Sequence, residues 1–164
     1  MRYVSVLFLV LAVSCSDNTT KPAREAAEAF YKKFPFEFRK AGDSSYSRGL
    51  AALIQQVRDK EVSSAAAVKA SAFPSDKPAI LEGDLFSGLY EGFNTYQLKD
   101  VIPAGKDTSR VVVTLTNTFY KKQWNDTLVL VNENGWKVDN ILFGPDKPAV
   151  HSLREEVNRF LATP

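Results

Sequence analysis

Three aspartates in this chain have surroundings that could turn a carboxylate toward chemistry. Asp84 stands in a glycine-punctuated stretch beside Phe86, Asp126 follows Trp124 by two residues, and Asp139 precedes Ile141 by two. A carboxylate held against aromatic or apolar neighbours has a raised pKa and can serve as a general acid or base. The same residue type also caps turns, opens strands and pairs across them, so Asp84, Asp126 and Asp139 equally read as structural acids. His151 is the only histidine, just before the final amphipathic stretch in an approach containing Pro145 and Pro148. One histidine without a free cysteine does not build a zinc site, and it leaves no hydrolytic triad unless His151 is the base. No catalytic residue, metal or cofactor is assigned on these grounds. Trp124 and Trp136 read first as core. Phe86, Leu89 and Tyr90 sit between glycines and read as an apolar lip for a ligand or partner. Asp84, Phe86, Tyr90, Trp124, Asp126, Trp136 and Asp139 are therefore the candidate ligand or partner site.

The single cysteine, Cys15, has a different chemistry. Arg2 supplies a positive start, Val4 to Val13 is a ten-residue and mostly apolar run, and Ser14 is small. An apolar run that short fits a signal peptide and is too short to span a membrane. Leu11-Ala12-Val13-Ser14-Cys15 resembles a lipobox, with Ala12 where leucine is commonest. The resemblance implies cleavage before Cys15, acylation of its thiol with fatty acids such as palmitate, and a stable anchor, since several chains hold where one does not. Ser16 rather than aspartate after the cysteine resembles an outer-membrane lipoprotein facing the periplasm. Residues 1–14 then form the signal peptide, 15–21 the lipidated tether, and 22–164 one domain.

The 164 residues suffice for one domain with a sizeable core and no disulfide. Lys plus Arg is 21 against 19 for Asp plus Glu, and removing residues 1–14 takes away Arg2 alone. That near-neutral balance argues against a nucleic-acid partner, which would require a concentrated basic face.

The elements that must position the candidate residues follow from periodicity. Pro22 to about Phe34 predicts a helix with Thr20 as its cap, Ala26, Ala27, Phe30 and Phe34 on one face, and Pro35 ending it. The aromatic run Phe30, Tyr31, Phe34, Phe36, Phe38 is expected to divide between the core and the mouth of a pocket. Tyr46, Leu50, Leu53, Ile54 and Val57 recur at helical spacing, and a separate alanine-rich helix is expected from about Lys60 to Ala72. Residues 74–93 read as a long loop that is either functional or folded back on itself. The period then becomes two: strands are expected at 95–102, 109–121, 125–132 and 135–143, with Val111, Val113, Leu115 and Phe119 facing one way. Asn132 to Gly135 predicts a hairpin turn, and Ser152 to Glu155 a capping box before a short closing helix. On the last strand neither face is wholly apolar, so either a bulge shifts the register near Asp139 or both faces are covered. Helices first and strands second make an α+β chain: N-terminal helices packed on a curved antiparallel sheet of about four strands, closed by a short C-terminal helix.

Two segments together are similar to a known family. Glu82 to Ser87 carries a Gly-Asp-x-Phe-like loop with Leu85 where proline is common. Trp124-Asn125-Asp126 and Gly135-Trp136-Lys137-Val138-Asp139-Asn140-Ile141 carry two strand motifs, and Ser152-Leu153-Arg154 also fits. This order resembles the bacterial lipoprotein family catalogued as domain of unknown function 3828, similar to the nuclear-transport-factor-two-like, cystatin-like cone superfamily. The resemblance implies a cone-shaped α+β fold at the cell envelope and brings no reaction. The expected function is a non-catalytic binding or accessory module contacting a protein or small ligand. The alternative is a small-molecule hydrolase or isomerase using aspartates in the cone.

Overall fold

A computed structural model describes residues 17–40, 44–144 and 150–163. Cys15, the Gly42–Asp43 break, Pro145 and Pro148 lie outside the described residues. Helix α1 (Asp17–Tyr31) is followed by α2 (Arg48–Ala70), then strands β1 (Thr95–Pro103), β2 (Thr108–Asn117), β3 (Lys122–Asn132) and β4 (Trp136–Leu142), and finally α3 (Leu153–Ala162). The strands form one antiparallel meander in the order β1-β2-β3-β4. The α+β expectation holds. Among the described residues no helix is long and apolar enough to cross a membrane.

Helix α1 begins a turn earlier than Pro22, so Thr20 lies inside it rather than capping it. Its buried face is Ala23, Ala27, Phe30 and Tyr31, with Phe34 beyond its end. The residue before a proline is pushed out of helical geometry, and the last bonded turns close just ahead of Pro35. Helix α1 runs antiparallel to β1: Arg24 reaches the carbonyls of Lys99 and Leu98 (2.7 and 3.2 Å), while Tyr31 stacks on Tyr96 at its other end.

The two helices expected between residues 46 and 72 are one. Ser47 caps α2, its hydroxyl accepting from the Leu50 amide at 3.0 Å. Leu50, Ile54, Val57 and then Glu61 continue a single buried stripe. Alanine favours the helix and neither glycine nor proline interrupts residues 50–70, so nothing breaks it.

The sheet buries Val111, Val113 and Leu115 from β2, and Trp124, Leu128 and Leu130 from β3, beneath α1. Phe119 departs from expectation: it is 82% exposed in the turn between β2 and β3. Asn117 ends β2 early. Its amide donates to the Gly92 carbonyl (2.8 Å) and its carbonyl oxygen accepts from the Tyr120 amide (3.1 Å), so the chain turns before alternation reaches Phe119. In β4 the register skips Asp139, because Val129 pairs with Asn140 and Leu130 with Val138. That bulge brings Val138 and Ile141, three residues apart, into the same core. The Asn132–Gly135 hairpin forms with positive φ at Asn134 and Gly135. Ser152 caps α3, accepting from the Glu155 amide, and Leu153, Val157 and Phe160 bury its inner face.

Candidate functional site

The segment after α1 and the loop before β1 face one another across an open cleft of about 520 Å³. The aromatic run divides between core and cleft as expected. Phe30 and Tyr31 are fully buried, whereas half-buried Phe34 and Phe36 and nearly buried Phe38 line the opening. Phe36 stacks on Phe30 with centroids 4.6 Å apart and leans on Phe86 at 4.8 Å. Aromatic pairs at such separations add to their area burial, so this wall is rigid rather than loose.

The opposite wall is residues 83–92. Asp84 closes it as an Asx turn: its Oδ1 accepts from the Phe86 amide at 2.8 Å, and its own amide donates to the Tyr90 carbonyl at 2.8 Å. Gly83 and Gly92 take positive φ, and a Cβ on Gly92 would sit 2.6 Å from Asp84 Oδ2. Phe86, expected as part of an exposed lip, is buried instead, parallel to Tyr46 at 5.8 Å. The outward side chain is Tyr90, 58% exposed.

Asp126 holds this loop to the sheet. It lies in the interior of β3, facing the core, with no exposed surface. Its Oδ2 accepts from the Gly88 amide (2.7 Å) and the Trp124 indole (3.1 Å), and its Oδ1 accepts from the Gly144 amide (2.8 Å). Bonds to a carboxylate are about twice as strong as neutral ones, and three of them offset the cost of burying its charge. Gly88 has no room for a side chain: a Cβ would stand 2.9 Å from Asp126 Oδ1. Trp124 is core and clamp at once.

Asp84, Phe86, Tyr90, Trp124 and Asp126 thus gather around one loop, although only Asp84, Phe86 and Tyr90 line the cleft. Asp139 and Trp136 lie elsewhere. Asp139 Oδ1 accepts from Ser47 Oγ (2.6 Å) and Arg154 Nη2 (2.5 Å), and Arg154 Nε donates to the Asp139 carbonyl (2.7 Å). The bulge aims this carboxylate at the start of α2 and at α3, where it joins three elements. Trp136 packs against the core at the far end of the β3–β4 pairing. His151 is exposed, its backbone amide donating to Glu155 at 2.8 Å. Among the described residues no three histidine, cysteine, aspartate or glutamate side chains cluster for a metal.

Two groups escaped the sequence reading. Arg39 grips Glu61 with two bonds of 2.8 Å and the Leu81 carbonyl at 2.7 Å, while Glu61 also accepts from the Leu81 amide. This pair ties the 34–40 wall, α2 and residue 81 together. The Tyr31 hydroxyl is buried and has no hydrogen-bond partner among the described residues. Burial first, then the charges of Asp126 and Asp84, push its phenol well above the ordinary range. It therefore stays a neutral O–H and does not act as a base at any physiological pH.

No protein-family model, curated protein or solved structure matches the chain.

Proposed function

We propose that this chain is a lipid-anchored envelope protein whose domain is a non-catalytic binding module, with the cleft between residues 34–40 and 83–92 as its ligand or partner site. The anchor is Cys15, and the expected address is the outer membrane facing the periplasm. Membership of the lipoprotein family named above is part of this reading and rests on the motifs at Glu82–Ser87, Trp124–Asp126 and Gly135–Ile141. The observation that carries the binding role is the cleft itself: an opening of about 520 Å³ with aromatic walls braced from behind. Pockets of this size and lining suit small organic ligands or an inserted side chain.

The disposition of the acids favours binding over catalysis. Asp84 alone of the three lines the cleft, Asp126 is sealed behind Gly88, and Asp139 bonds Ser47 and Arg154. Glu37 and Glu91 also line the opening but are exposed, so the cleft holds no pair of carboxylates sealed from water. The cleft stands at the C-terminal end of α1.

The test is a titration of the isotopically labelled domain with a panel of small aromatic compounds and short peptides. Resonances of Phe36, Asp84 and Tyr90 are expected to shift together, and Tyr90→Ala to weaken the response about tenfold, as for loss of one buried aromatic contact. Shifts scattered over the surface, or none, would remove the proposal.

A further inference from the structure

The turn between β2 and β3 presents chemistry that neither the core nor the cleft uses. Phe119 and Tyr120 are 82% and 50% exposed and meet edge to face at 5.0 Å. Lys121 and Lys122 follow, both exposed, and neither forms an ion pair among the described residues. Residues 108–125 contain Arg110, Lys121 and Lys122 and no aspartate or glutamate. The tip is held in shape from beneath, because Asn117 bonds both the Tyr120 amide and the Gly92 carbonyl, and Asn94 donates to Thr118 at 2.7 Å. The rings are therefore displayed by a fixed turn.

An exposed phenylalanine gains nothing in water, and two uncompensated ammonium groups beside it select the surface that satisfies both. Aromatic rings settle at the headgroup level of a bilayer, and lysines near it are drawn to anionic phosphates. A soluble polyanion would engage the lysines and leave Phe119 in water. We propose that the β2–β3 tip is a membrane-contact site, seating Phe119 and Tyr120 in the interface of an anionic bilayer with Lys121 and Lys122 on lipid phosphates. The contact is independent of the lipid on Cys15. It lies toward the C-terminal end of α1, where Tyr31 stacks on Tyr96 and Tyr96 pairs with Leu115 near the end of β2.

Residues 17–163 carry every helix, strand and buried side chain described above, so this leaderless, unacylated domain is the test molecule. It is mixed with vesicles of phosphatidylcholine alone or of phosphatidylcholine with phosphatidylglycerol, and bound protein is measured by flotation. Partitioning to the anionic vesicles is expected to be at least about tenfold stronger, given the attraction of each lysine. Phe119→Ser with Tyr120→Ser is expected to abolish most of it, and Lys121→Gln with Lys122→Gln to remove the anionic preference. Unchanged urea midpoints verify that these exposed substitutions leave the fold intact. Absence of binding to anionic vesicles, binding indifferent to both pairs of substitutions, or equal retention on soluble polyglutamate would each overturn the proposal.

Discussion

At the scale of single residues, Tyr31 has the most testable peculiarity. Its buried hydroxyl, which has no hydrogen-bond partner among the described residues, loses its hydration on folding and gains no bond from them in return. Tyr31→Phe is therefore expected to stabilise the domain by about 1 kcal/mol at neutral pH, read from the urea midpoint. The pH dependence follows from the raised phenol. In the unfolded chain this group loses its proton near pH 10, while in the folded chain it keeps it. The unfolded state then binds fewer protons, and stability is lost as pH rises above about 10. Tyr31→Phe removes this contribution, so its midpoint should fall less than that of the parent between about pH 9 and 11. A steeper fall in the variant would show that the phenol is not held neutral.

At the scale of elements, the loop 83–92 is a wall because β3 reaches into it. Asp126→Ala leaves the Gly88 and Gly144 amides and the Trp124 indole without their acceptor. The expected cost is at least about 3 kcal/mol, since each bond to a charged group contributes roughly 1.5–3 and the abandoned donors are buried. Amide exchange at Gly88 and Gly144 should accelerate well before that of β2, and uniform acceleration would contradict a local clamp.

Much of this scale was legible in the chain. Alternation places Val111, Val113 and Leu115 correctly, and its failure on β4 leaves a bulge or two covered faces, of which the register shows the bulge. The same alternation misplaces Phe119, because the turn is set by Asn117, whose partner Gly92 is 25 residues away. Glu61 interrupts the apolar stripe of α2 on paper. It becomes a core residue only because Arg39, 22 positions earlier, reaches it. Glycines flanking Asp84 and Tyr90 marked the loop of the cleft. They did not reveal that Asp126 seals it from behind, since local sequence carries no sign that the amides of Gly88 and Gly144, 38 and 18 residues away, donate to it.

At the scale of the whole molecule, the proposed lipid anchor rests on Cys15 alone. Cys15→Ser should leave the chain unacylated, with no mass gain on growth with labelled palmitate. Acylation persisting in that variant would place the anchor elsewhere. The cleft lies at one end of α1 and the turn containing Lys106, between β1 and β2, at the other. That separation provides an internal control.

The most direct measurement is photocrosslinking in intact cells from a reactive side chain placed at Tyr90, compared with the same side chain at Lys106. A discrete adduct from position 90, absent from position 106 and lost on Phe36→Ala, is the result expected of a binding cleft. The same adducts from both positions, or none from position 90, would contradict it.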